Sequence, residues 1–269
     1  MAEIVEEVKV YDKESLAEKL GTSLTEIATL KTIDWGWREL VPDQAKAMGD
    51  LLEHATSCVN FKCVSFAISV FFASPHPSPQ LLSSSHSPPL SLSLLSSRSA
   101  FVNEVGPEGG IAFARAMTKM TKLVQADLQQ WQITPVGAKA IAASLQTHPR
   151  IKSLKMHYCK LGWEGTEYIA RACAQHKTLT NLDLGDNGMD EQGARHIAAM
   201  LATNTSITRL DLSKNEGLVD NDDVKAWFLG EVEKIMQTRV TPLNLIIENS
   251  PGQKWHPNDR PPPPVREDY

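Results

Sequence analysis

The sequence predicts an α/β solenoid on three observations: a stretch that passes from a strand pattern through a turn into a helix pattern, its return every 28 residues, and apolar slots that keep step across four copies. Leu179, Leu182 and Leu184 stand at strand spacing, Asn187, Met189 and Gly193 follow, and Ala194, Ile197, Ala198 and Leu201 stand at helix spacing up to Ser206. One such unit cannot bury its own apolar edge. It therefore needs neighbours of the same kind on both sides.

Those neighbours are legible. One period back lie Ile151, Leu154 and Met156, a second period back Leu123, Ala126 and Leu128, and one period forward Ile207, Leu210 and Leu212. Ile133, Leu161 and Met189 share a later slot, Gly137, Gly165 and Gly193 another, and Leu145, Cys173 and Leu201 a third. The L-x-x-L-x-L segment reads as a short strand, and the asparagine slot supplies a side-chain amide where the chain turns. The glycine is expected ahead of the helix, whose apolar stripe faces the strands. These residues resemble the leucine-rich repeat family, specifically the 28-residue ribonuclease-inhibitor type also found in NOD-like receptors and the Ran GTPase-activating protein, most closely over residues 123–215. The resemblance implies a right-handed βα horseshoe arc, with short parallel strands on the concave face and helices on the convex face.

Taken in order, residues 1–29 place Leu16, Leu20, Leu24 and Ile27 at helical spacing and read as an N-terminal helical cap. Residues 30–63 hold a degenerate repeat and the start of a second. In the first, Arg38 fills the asparagine slot and Gln44 the glycine slot; in the second, Cys58, Phe61 and Cys63 take the strand slots. Residues 64–100 are Ser, Leu, Pro and Phe-rich, with no Asp, Glu, Lys or Gly and Arg98 as their one charge. The repeat then resumes in step at Asn103, Val105, Gly109, Phe113, Ala114 and Met117, so removing about 37 residues restores the register.

Two readings of this insertion stand side by side. One is a retained intron or gene-model artefact, since these amino acids can be encoded largely by pyrimidines, as before a splice acceptor. The other is a natural low-complexity loop without a periodic apolar face. A membrane span is rejected, because the apolar run of about 10 residues falls well short of the roughly 20 required. Residues 101–249 carry the remaining repeats and a C-terminal cap, with an acidic turn over 216–223, a bulkier helix and a last strand built on Val240, Leu243 and Leu245. Residues 250–269 read as a Pro-rich disordered tail.

The charge of −5 gives no reason to expect nucleic acid as a partner, and no polybasic membrane segment is present. An acidic start without an apolar run, and four cysteines without paired spacing, suit a cytoplasmic or nuclear protein. Phosphate-binding glycine loops, metal-ligand spacings and nucleophile elbows are absent from the sequence, so neither an enzyme nor a cofactor is expected. His157 and Cys159 are two apart but straddle the strand end, one outward and one inward, which separates them as a catalytic pair.

The outward strand positions carry the functional reading. The residue between the last two strand hydrophobics is Asp34, Lys62, Asp127, Lys155, Asp183 or Asp211. The next outward slots give Gly36, Gln129, His157, Gly185 and Ser213, then Trp37, Gln130, Tyr158, Asp186 and Lys214. Exposed aromatics among charges suit a protein-binding face. The expected contacts are Trp37, Asp127, Gln129, Lys155, His157, Tyr158, Asp183, Asp186, Asp211 and Lys214, meeting a protein partner. In the tail, Pro261, Pro264 and Arg266 form a P-x-x-P-x-R arrangement that resembles an SH3-domain ligand. The family resemblance also raises a small-GTPase regulator as the alternative function. Against it, the acidic tail of the Ran GTPase-activating protein is replaced here by proline and mixed charge.

Overall fold

The computed structural model describes residues 12–34, 44–62 and 105–247, together with the backbone of 253–255. Trp37, Arg38, Cys63, the 64–100 insertion and the tail residues Pro261, Pro264 and Arg266 lie outside the described residues.

Seven parallel strands form one sheet in chain order: β1 (Thr32–Asp34), β2 (Asn60–Lys62), β3 (Gln125–Asp127), β4 (Ser153–Lys155), β5 (Asn181–Asp183), β6 (Arg209–Asp211) and β7 (Leu243–Ile246). Helices alternate with them: α1 (Lys13–Lys19), α2 (Leu24–Ile27), α3 (Ala45–Leu52), α4 (Gly106–Met117), α5 (Thr134–Thr147), α6 (Gly162–Ala174), α7 (Glu191–Thr203), α8 (Glu216–Val219) and α9 (Asp222–Thr238). From α3 to α7 each helix packs on the next, giving a helix layer over one face of the sheet. The middle residue of every strand, Ile33, Phe61, Ala126, Leu154, Leu182, Leu210 or Leu245, is buried against that layer. Phe113, Ile141, Ile169 and Ile197 meet them from the helices. Burying the middle residue turns the first and third residues of each strand to the opposite, open face.

The 28-residue step is visible in the register: Thr32 pairs with Asn60, Gln125 with Ser153, Ser153 with Asn181 and Asn181 with Arg209. Between β2 and β3 the step differs. Asn60 pairs with Gln125, 65 positions on, which is one period plus 37. Across that connection Phe61, Phe113 and Trp131 form a three-ring cluster with centroids 5.0 to 6.0 Å apart. Phe61 of β2 stacks on Phe113 of α4, so the two elements are in direct contact across the connection. We therefore expect that deleting residues 64–100 leaves the sheet register intact. Shortening the connection roughly eightfold reduces loop-closure entropy, and about 0.6 kcal/mol per halving gives a gain of up to about 2 kcal/mol. Urea unfolding of the deletion variant checks it; a loss of cooperative unfolding would mean that the insertion supports the fold.

Five sequence expectations about the elements require correction. The N-terminal cap is two short helices, because Gly21 adopts φ +70° and Ser23 caps α2 by accepting from the Glu26 N–H. The repeated glycine lies inside the first turn of each helix. A Cβ on Gly109, Gly137, Gly165 or Gly193 would come within 2.9 Å of the side chain four residues earlier, Val105, Ile133, Leu161 or Met189. The acidic turn after Asn215 contains the short helix α8, starting at Glu216. Val240 is 90% exposed and outside the last strand, which starts at Leu243 and pairs Leu245 with Leu210 after a step of 35 residues. Finally, the tail is not wholly without structure: β8 (Gln253–Trp255) pairs antiparallel with β7 and covers the backbone groups of the sheet's C-terminal edge.

Candidate partner-binding face

On the open face the third strand residues form a charged row of Asp34, Lys62, Asp127, Lys155, Asp183 and Asp211. Three of the aspartates also serve the backbone. Asp183 Oδ1 accepts from the Gly185 N–H at 3.0 Å, Asp211 Oδ1 from the Ser213 N–H at 3.1 Å, and Asp127 Oδ1 from the Gln129 N–H at 3.5 Å. The aspartate thus closes the turn after β3, β5 and β6, a structural role alongside any contact role. Asp127 is a correction. Expected in a solvent-facing slot, it is only 8% exposed, because Gln129 Nε2 donates to it at 2.8 Å and the Lys155 ammonium stands 3.3 Å away. Ser213 and Gly185, read as outward, are buried too; Ser213 Oγ donates to Asp211 at 2.7 Å.

Gly185 is buried because the His157 imidazole lies over it, and a Cβ there would sit 2.5 Å from Nδ1. From this niche His157 reaches Asp183 at 3.6 Å and Asp186 at 3.9 Å. Hydrogen bonding to Asp183 raises the His157 pKa above its ordinary 6.5, helped by the charges of Asp183 and Asp186 and opposed by burial and by Lys214. A raised folded-state pKa adds stability below pH 6.5 that is lost as pH rises through the folded value. The expected NMR titration of the His157 ring protons has its midpoint above that of an unstructured histidine, and Asp183→Asn moves it down. A midpoint unmoved by that substitution would remove Asp183 as the cause.

The following slot, Gln130, Tyr158, Asp186 and Lys214, lies in the left-handed region at φ 65°, 54°, 53° and 57°. For a side chain such as tyrosine this conformation costs about 1–2 kcal/mol. It recurs at four successive described turns, so it belongs to the repeat rather than to one site. The N–H of Gln130, Tyr158 and Asp186 each donate to the next turn, at His157 O, Gly185 O and Ser213 O. Beneath these turns runs the asparagine slot. Asn187 accepts from the Cys159 and Leu161 N–H and donates to Met156 O and Gly185 O, and Asn215 repeats this one period on. In the two earlier copies the slot holds Cys159 and Trp131, both buried.

Cys159 gives no nucleophile. Burial pushes its thiol up to about 12, and Sγ donates to Leu128 O at 3.2 Å while the His157 ring turns to the aspartates. Among the described residues no group of three His, Cys, Asp or Glu side chains is placed to hold a metal ion. Among the described residues no helix is long and apolar enough to cross a membrane. The structure adds one row that the sequence reading overlooked: the first strand residues Gln125, Ser153, Asn181 and Arg209 share the open face, with Asn181 Nδ2 donating to Ser153 Oγ at 3.0 Å. Strand alternation is the signal that points to them.

The repeats match known proteins where the register is cleanest. The family model described as Leucine Rich repeat matches residues 175–198 and 203–222, which span β5, α7 and β6. The chain is thus an α/β solenoid carrying leucine-rich repeats. Among solved structures, "Leiomodin-1 Actin-Binding Site 2 (ABS2)" is similar over 53% of this chain and 79% of that chain, with 16% identity and a TM-score of 0.42. That similarity is too slight to bear on what this chain binds. No curated protein matches significantly.

Proposed function

We propose that the protein is a non-enzymatic interaction module that takes a protein partner on the open face of its sheet, centred on Lys155, His157, Tyr158, Asp183, Asp186 and Lys214. The observation that carries this reading is the in-register ladder of half-buried charges around Tyr158, held by the repeated turns instead of by mobile loops. A rigid face of that kind loses little side-chain entropy on binding, and a tyrosine at its centre supplies area. Asp211 and Gln129 flank it. The 28-residue step supports assignment to the ribonuclease-inhibitor type of repeat, and a cytoplasmic or nuclear setting suits the three described cysteines, which are unpaired and buried. No observation favours the GTPase-regulator reading over this one.

The test substitutes Lys155→Glu, Tyr158→Ala and Lys214→Glu together and compares proteins enriched on wild-type and variant by quantitative mass spectrometry. Loss of the same partners, confirmed with the purified proteins, is expected. Unchanged binding by a variant that melts like wild-type would remove the open face from the account.

A further inference from the structure

A second surface carries charge that the open face does not use. Four eight-residue windows, 118–125, 146–153, 174–181 and 202–209, run from the end of a helix into the next strand, and together they hold six Lys or Arg and no Asp or Glu. The opposite windows, 127–136, 155–164, 183–192 and 211–220, hold nine carboxylates against three lysines. The chain, at −5 overall, is therefore polarised across the sheet. Lys119, Lys122, Arg150, Lys152 and Lys177 are all exposed, and among the described residues none of the five has an ion-pair partner.

The repeat holds these cations side by side. Lys152 N–H donates to Val124 O, Thr180 N–H to Lys152 O and Thr208 N–H to Thr180 O, so successive loops stack one rung apart, about 4.8 Å. Hydroxyls tie the stack, with Thr178 Oγ1 donating to Ile151 O and Thr180 Oγ1 to Lys152 O. Helix dipoles favour cations near C-termini, but that effect fades within the last turn. Lys122, Arg150, Lys152 and Lys177 lie past the C-caps Thr118, His148 and Gln175, so the dipole leaves most of the stripe unexplained.

We propose that this edge is a docking surface for an extended acidic segment of a protein partner, distinct from the open sheet face. Charge complementarity selects an anion, and the composition selects which one. The four windows contain no Phe, Tyr or Trp on which a base could stack, and the acidic opposite edge repels a long polyanion. An anionic membrane is disfavoured because Val240, just beyond α9, is the one large apolar side chain exposed there among the described residues. A short run of Glu and Asp in extended form matches a narrow, stacked row of ammonium and guanidinium groups.

Fluorescence anisotropy with a labelled polyglutamate peptide, using the full chain, tests the proposal. Binding is expected at low ionic strength, weakening as salt is raised. The variant Lys122→Glu, Arg150→Glu, Lys152→Glu and Lys177→Glu should lose at least about tenfold in affinity. The open-face triple variant should bind the peptide like wild-type, which separates failure of this proposal from failure of the open-face reading. Equal binding by a charge-reversed variant with an unchanged melting temperature would overturn it. So would capture of oligouridine or phosphatidylserine vesicles by the wild-type chain in place of the peptide.

Discussion

Replacing Asn187 with alanine is expected to cost about 3–5 kcal/mol, the combined effect of several buried backbone groups losing their partners at about 1–3 kcal/mol each. The amide is 2% exposed and joins two turns of the solenoid. Its oxygen accepts from Cys159 N–H at 2.8 Å and Leu161 N–H at 3.4 Å, and its nitrogen donates to Met156 O at 2.8 Å and Gly185 O at 2.9 Å. Alanine leaves the Cys159 and Leu161 N–H groups and Met156 O without this partner, while Gly185 O keeps the Tyr158 N–H. For a chain of this size the loss corresponds to roughly 10 °C in melting temperature. Because each repeat contacts chiefly its neighbours, amide exchange should speed up first at Cys159 and Leu161. Asn187→Asp separates the two halves of the role: the carboxylate still accepts from the two N–H groups but faces two carbonyls, so it should restore less than half of the loss. A cost under about 1 kcal/mol for alanine would show that water replaces the amide, and the turn ladder would cease to explain the repeat.

The slot of Asn187 was legible in the sequence because asparagine stands there in two successive copies, at 187 and 215, although Cys159 and Trp131 fill it in the two before. The helix starts were less legible. Asp190 caps α7 with its carboxylate, but Ile133 and Leu161 precede α5 and α6 with helical backbone and no side-chain cap, so Pro135 in the first turn of α5 is the one start signal those two helices carry. The glycine consequently read as a boundary, while the structure uses it inside the helix to admit the side chain four residues earlier. Apolar spacing likewise continues from Leu16 through Leu20 and Leu24 to Ile27 across a backbone that breaks at Gly21; periodicity senses burial, and both short helices bury one face.

The open face was partly legible for a related reason. Alternation tells which strand residues avoid the core, but not which are covered by their neighbours on the same face. Asp127 is buried by a lysine 28 positions away and Gly185 by a histidine 28 positions away. The basic edge escaped altogether, since its cations are scattered singly or in pairs along the chain and gather only when the loops stack.

At the C-terminal end the repeat changes its fastening, and Arg239→Ala is the expected consequence to measure. In earlier loops His148, His176 and Asn204 sit one period apart and hook the strand that follows: His148 Nδ1 accepts from Ile151 N–H, His176 Nδ1 from Leu179 N–H and Asn204 Oδ1 from Ile207 N–H. Burial lowers the pKa of both histidines, which favours the neutral ring with an accepting Nδ1. The last loop has Arg239 in this place, 6% exposed, and the step to the next strand has lengthened from 28 to 35 residues. An acceptor no longer serves there. The guanidinium instead reaches back across the longer gap and donates to carbonyls of Leu201, Asn204 and Ile207, with Nε donating to Thr241 O at 3.2 Å. Its fork matches several oxygens in different directions, which a lysine ammonium cannot do from one point. Removing it should cost about 2–4 kcal/mol, since hydrogen bonds to a charged group contribute about 1.5–3 kcal/mol each while burying the charge offsets part of that gain. Arg239→Lys should recover less than half. Arg239→Met decides between the two terms: it keeps the volume and abolishes the charge. Wild-type stability in that variant, read from urea unfolding, would mean that packing alone holds the cap and that the four carbonyls find other donors.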